Sequence, residues 1–330
     1  MVLLCLAPLS GSQTPQYLST FFKQKIGLND QEILQIDQGE AVAKVLDSPK
    51  PSQVFIFGAI SIKGRPDSFV RLRNNLDRVK SLPGYLSIRP FSKPPVLSDL
   101  DGFTIDPADV DELTDCKPKD CAVQLPAANM EEFRSRIHWG TPDTGAQVNR
   151  LAKEMTLQAL LAYQRGGNAA LGTYEDKDAP AGVSKQFRSL LDSGKFFPVQ
   201  FPALYADLLY YPDKPIPDST TNFYWEKIDF GLRPTIRVDQ QVSTQMNPGS
   251  GRVDVVAIKQ LYANHYFQTA IELFFCIPRS SGSFYLVTVK GSEQDGLTGL
   301  KGSLIRKSAT SKSKTSLENS LVAIKKDLEH

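Results

Sequence analysis

The stretch YANHYFQTAIELFFCIP, Tyr262–Pro278, decides the fold. Successive side chains of an extended chain point to opposite sides. Read as a strand, the segment therefore puts His265, Phe267, Thr269, Ile271, Leu273, Phe275 and Ile277 on one face, and Tyr266, Gln268, Ala270, Glu272, Phe274 and Cys276 on the other. The first face is almost wholly apolar and has to be covered by something. Glu272 lies among apolar neighbours, where an ionised carboxylate buried alone costs several kcal/mol. Arg237, on a predicted neighbouring strand, is its expected counter-charge.

The flanking segments TNFYWEKIDFG, PTIRVDQQVSTQM, RVDVVAIKQLYANHY and SFYLVTVKG read as further strands, joined by short turns such as NPGSG and RSSGS. Connections that short imply antiparallel neighbours. Upstream, QVFIFGAISIKG (53–64) is dense in β-formers and bounded by turn residues, so it is also a strand. Pro66 then opens a helix over 66–80, with Phe69, Leu72, Leu76 and Val79 on one face and Arg71, Arg73, Arg78 and Lys80 on a solvated one. At the other end, Leu317, Leu321, Ile324 and Leu328 recur at helical intervals and predict an amphipathic terminal helix, interrupted near 308–316. Between about 91 and 215 the character is mostly helical, with Val148, Leu151, Met155, Ala159 and Ala162 forming one apolar stripe. The fold class that follows is α+β: an antiparallel sheet around a C-terminal helix, carrying a large, mostly helical insertion.

The chain has 330 residues, 41% of them hydrophobic, and can bury a sizeable core. It is expected to form a single elaborated domain over 16–330, with its core at about 50–90 and 220–330 and the insertion at about 91–215. Residues 1–15, beginning MVLLCLAPLSGSQ, look like the end of a secretory signal without its basic start; a buried N-terminal strand is the alternative. A formal charge of +2 provides no global field toward nucleic acid. Nothing approaches the roughly 20 apolar residues of a membrane span.

Cys116 and Cys121, in CKPKDC, are close enough to close a local disulfide in an oxidising compartment, which points to export; two free thiols are the alternative. The acidic run Asp99, Asp101, Asp106, Asp109, Asp111 and Glu112 misses the spacing of a calcium loop, so no metal is assigned. No nucleophile elbow, P-loop, zinc-protease or dinucleotide motif appears, and no catalytic residue or cofactor is assigned.

The order of elements, with Val54–Ile62 as first strand, Pro66–Lys80 as helix, 222–290 as curved sheet and 296–328 as gripping helix, resembles the START-like (helix-grip) lipid-transfer superfamily. That resemblance covers about half the chain. It implies a ligand held between sheet and terminal helix. The segments KQLYANHYFQTAIELF, FYLVTVKGSEQDGLTGL, YWEKIDFGLRP and CKPKDC are similar to a group of uncharacterised exported bacterial proteins, which implies an extracytoplasmic (periplasmic or secreted) location and transfers no catalytic residue.

The expected function is non-enzymatic binding of a lipid or small hydrophobic molecule in a cavity between sheet and C-terminal helix. His265, Phe267, Ile271, Leu273, Phe275, Trp225, Leu300 and Leu304 are the expected lining. Lys301, Arg306 and Lys307, beside leucines and without nearby acids, would touch an anionic membrane surface. The competing readings are a solid-cored interaction module that uses the Cys116–Cys121 region and a hydrolase built on His265.

Overall fold

The computed structural model describes residues 14–194, 197–229, 232–248, 251–279, 282–297 and 299–330, with backbone alone at 299–301 and 303. Its strands are β1 (Val42–Leu46), β2 (Gln53–Lys63), β3 (Tyr85–Pro90), β4 (Thr173–Tyr174), β5 (Ala181–Gly182), β6 (Thr220–Ile228), β7 (Thr235–Met246), β8 (Val253–Ala263), β9 (Phe267–Arg279) and β10 (Ser283–Gln294). The helices are α1 (Gln16–Phe21), α2 (Asp30–Asp37), α3 (Asp67–Asn74), α4 (Leu76–Lys80), α5 (Pro107–Leu113), α6 (Ala127–Arg136), α7 (Thr144–Gly166), α8 (Val183–Ser193), α9 (Phe197–Gln200), α10 (Pro202–Tyr210) and α11 (Gly299–Glu329). The signal-like segment lies almost entirely outside the described residues.

Eight strands pair antiparallel in the order β1-β2-β10-β9-β8-β7-β6-β3. The second-half meander β6 to β10 is continuous in this order, as its short turns require, and β2 with β1 completes one edge. The molecule is α+β, with a large antiparallel sheet and a C-terminal helix.

Both faces of the sheet are covered. On one, Phe57, Val255, Ile271, Leu273, Phe275 and Val287 pack against Phe22, Phe187, Phe197, Phe201 and Leu204, from the N-terminal turns and α8 to α10. Farther along that face, Trp225, Ile236, Val238 and Leu261 pack under α5, α6 and α7 of the insertion. The opposite face carries Val54, Ile56, Ile60, Phe274, Cys276 and Leu286 against Leu317, Leu321 and Ile324 of α11 and Phe69 and Leu72 of α3. Burying each such large side chain stabilises the fold by about 1.5–3 kcal/mol.

Gly58 sets how closely α11 approaches. A Cβ there would stand 2.8 Å from Leu317 Cδ2, so the missing side chain lets the helix lie against β2. Polar ties then fix the end of α11: Lys325 Nζ donates to the carbonyls of Gly39 and Ser61, and Arg78 pairs with Asp327 at 2.6 Å.

Three expectations about elements change. The terminal helix runs unbroken through 308–316. The helix over 66–80 is two helices, because Asn75 leaves helical geometry and its side chain accepts from Arg78 N, restarting the chain as α4. Arg73, one helical turn after Phe69 in α3, is not on a solvated face: it is 4% exposed, turned toward β3 and β6.

Candidate functional site

From Phe267 to Ile277 the alternation holds, whereas Asn264–Tyr266 form the β8–β9 turn, with Tyr266 at positive φ, so His265 is on no strand face; the cover of the strand is also reversed. Ile271, Leu273 and Phe275 lie beneath the N-terminal and insertion helices; α11 packs on the other face, with Phe274 and Cys276. The reason is that α11 offers only a narrow apolar strip, whereas the wide aromatic face needs the broader helical layer. Trp225 belongs to the layer under the insertion, its indole Nε1 donating to Asp99 O at 2.9 Å. Leu304 is 73% exposed and is not among the residues that line the groove between sheet and α11. The side chains of Leu300 and Lys301 lie outside the described residues.

Between sheet and α11 there is a groove of about 220 Å³ with mixed walls: Val54, Ile56, Ala270, Ile271 and Leu317 give it an apolar part, and Phe267 and Ile271 of the expected lining are among its residues. Glu272, Lys290, Ser292 and Arg237 form the polar part on the strand side, with Lys312, Ser313, Ser316 and Ser320 on the helix. At the base of the groove Arg237 is buried among Glu226, Asp239 and Glu272. It donates to Asp239 at 2.9 Å and Glu272 at 3.2 Å, and stands 3.5 Å from Glu226. Lys290 adds a second cation 2.8 Å from Glu272. Burial favours the neutral acid, but Lys290 and Arg237 outweigh it at Glu272 and hold that carboxyl at about 2. Burial and the neighbouring Asp239 push Glu226 up to about 8. The Glu272–Arg237 pairing expected from the sequence is present.

The apolar cavity is elsewhere. A space of about 130 Å³ lies between the insertion and the sheet. Its floor is Ile236, Val238, Leu261 and Tyr262 of β7 and β8; Ala152, Met155, Ala159 and Leu160 of α7 form one wall, and Phe103, Val123, Leu125 and Phe133 another. Ala159, Ala170 and Gly172 line it yet are exposed, which marks the mouth. Most polar groups around it are already engaged. Asn264 holds Ile236 N and Asp109, Tyr174 accepts from Ala263 N, and Tyr163 donates to Gln240. The Tyr262 hydroxyl has no hydrogen-bond partner among the described residues and, with Thr156 and Asn129 at the rim, is the polar handle left to a ligand.

Beyond Tyr163, Lys259 is fully buried on the same face. Its ammonium donates to Tyr163 Oη at 2.8 Å, to Leu208 O at 3.0 Å and to Asn168, and burial pulls its pKa well below the usual value. No carboxylate pairs with it among the described residues. Strand alternation, Val253, Val255, Ala257, Lys259, Leu261, carried this signal.

His265 lies away from the cavity between sheet and terminal helix assigned to it. Its Nε2 is 2.9 Å from Asp109 Oδ2, and Asp109 also accepts from Asn264 and from Arg233 at 2.9 Å. Arg233 in turn binds Glu112. No serine, threonine or cysteine side chain hydrogen-bonds to His265 among the described residues, so the group ties α5 to the β8–β9 turn without a nucleophile beside it. Among the described residues no cluster of His, Cys, Asp or Glu is arranged to hold a metal. Cys116 and Cys121 are joined as a disulfide, their Cα atoms 4.7 Å apart. Arg306 donates to Pro51 O, and Lys307 is exposed.

Compared with protein-family models and with curated proteins, the chain finds no match.

Proposed function

We propose that this chain binds a small hydrophobic molecule without transforming it, in the apolar cavity between the helical insertion and the sheet. The observation that carries this reading is the cavity itself: apolar walls, one unengaged phenol and a mouth at the surface. Sites for small molecules have this character, a few polar groups in an apolar enclosure. At about 130 Å³ it is close to an apolar cavity of about 150 Å³ that accepts a benzene ring. The ligand class is therefore a single ring or a short alkyl chain carrying one hydroxyl, rather than a long acyl chain.

The terminal helix across an antiparallel sheet supports a helix-grip relationship, with the ligand moved to the other face of the sheet. The disulfide supports an extracytoplasmic location; no described helix is long and apolar enough to cross a membrane. Leu304 and Ile305, 73% and 54% exposed beside Lys307, support contact of the start of α11 with an anionic membrane, testable by co-sedimentation with phosphatidylserine vesicles.

The experiment is thermal denaturation with indole, phenol and 1-butanol, on the native chain and on Ala159→Trp, which fills the mouth. Stabilisation by at least one probe that is lost in the variant is the expected result. If none of the three shifts the midpoint, or the shift survives in Ala159→Trp, the reading is wrong.

A further inference from the structure

A second cleft, of about 410 Å³, lies between the α3–α4 turn and strands β3, β6 and β7, and its chemistry is different. At its floor is Arg73, 4% exposed. Arginines buried this deeply are ordinarily matched by a carboxylate, because an unpaired charge out of water costs several kcal/mol. Arg73 has only neutral partners: Nη1 donates to Tyr85 Oη at 3.2 Å and Nη2 to Tyr224 Oη at 3.0 Å, while Nε has none. No carboxylate stands within 4.0 Å of it among the described residues.

The rest of the lining is rich in donors. Asn74 Oδ1 is occupied by Gln241 Nε2 at 2.9 Å and Asn222 Oδ1 by Lys93 Nζ at 3.2 Å, which leaves both asparagine NH₂ groups without a partner among the described residues. Phe91 supplies an apolar side. One buried cation and two amide donors favour an anion in this space, and Gln241 Oε1, unpaired among the described residues, adds one acceptor that calls for a ligand carrying a hydroxyl as well.

We propose that this cleft binds a small organic monocarboxylate, with the Arg73 guanidinium as its counter-charge and the Asn74 and Asn222 amides as its hydrogen-bond donors. A single buried guanidinium balances one negative charge. Asp77, which also lines the cleft, opposes a second, so a phosphate dianion fits less well. The neighbouring acid Glu226 stands 3.5 Å from Arg237 and makes no contact with Arg73.

Calorimetric titration with lactate, against lactamide as its neutral isostere and sulfate as a dianion, tests this. Lactate is expected to bind at least about tenfold more tightly than either comparison compound, and to lose about tenfold in Arg73→Met. Should that variant not fold, Asn222→Leu, at a half-buried rim position, takes its place with the same expectation. Ala159→Trp is expected to bind lactate normally, which separates this cleft from the apolar cavity. The proposal is overturned if lactamide matches lactate, if Asn222→Leu binds lactate unchanged, or if lactate shows no heat at about 50 mM, far above the ~1 mM Kd of a weak ligand.

Discussion

Arg237 Nη1 donates to Glu272 Oε1 at 3.2 Å, joining β7 to β9 over the top of β8, which lies between them in the sheet. Two further acids, Glu226 and Asp239, also face that one guanidinium. Arg237→Leu leaves Glu226 and Asp239 without a cation in contact, while Glu272 keeps Lys290. Removing one partner of a buried ionic group costs about 3–5 kcal/mol. Urea denaturation of Arg237→Leu is expected to show a loss of that size, and a loss under about 1 kcal/mol, the range of surface pairs, would mean the cluster is hydrated and weak.

The same cluster sets the pH dependence of stability. Glu226 titrates at about 8 in the folded chain, because of burial and Asp239, against an ordinary 4.5. Between those values the folded chain holds a proton that the unfolded chain has released, so stability falls as pH rises and levels off above 8. Glu272, held at about 2 by Lys290 and Arg237 against the effect of burial, acts in the opposite direction: its contribution is complete above 4.5 and disappears as pH falls toward 2. The melting temperature should peak near pH 4.5. Glu226→Gln should flatten the decline between 4.5 and 8 and leave the acid limb intact; a slope that persists in the variant would assign it to another group.

How much of this was legible depended on whether a site came from one element or from many. The faces of β9 followed from alternation, and the buried residues of α11 from Leu317, Leu321 and Ile324 recurring at helical spacing. The cover did not follow, since alternation says that a face is buried and not by which helix. Arg73 was misplaced because its charge suggested solvent, although at i+4 from Phe69 it lies beside the apolar face of α3, where β3 and β6 enclose it. The apolar cavity is built from α6, α7, two loops, β7 and β8, separated by over a hundred residues, and no local pattern announces such a meeting.

Gly58 offers a direct test of how α11 is docked. Valine suits a strand by propensity, but its Cβ would be 2.8 Å from Leu317 Cδ2 and 3.0 Å from Leu321 Cδ1. Forcing extra carbons into a packed layer costs about 1–3 kcal/mol. Gly58→Val is therefore expected to lower stability by that amount and to speed hydrogen exchange in α11 more than in the helices on the opposite face. Equal acceleration on both faces would mean that the helix is not what the substitution displaces.

The ties around Asp109 should rank in a particular order. Asp109 is fully buried and accepts from His265, Asn264 and Arg233, whereas His265 has one hydrogen-bond partner among the described residues, Asp109 itself. His265→Ala removes one hydrogen bond from a carboxylate that keeps two others, a loss of about 1–2 kcal/mol. Asp109→Ala strands three donors at once, only one of which, Arg233, retains another acid in Glu112, so about 3–5 kcal/mol is expected. The difference has a spatial signature: α5 is held to the β8–β9 turn through this carboxylate, so limited proteolysis of Asp109→Ala should cut first near 107–113, while His265→Ala keeps the native pattern. If His265→Ala proved the more damaging of the two, the imidazole would have a role other than serving this clamp.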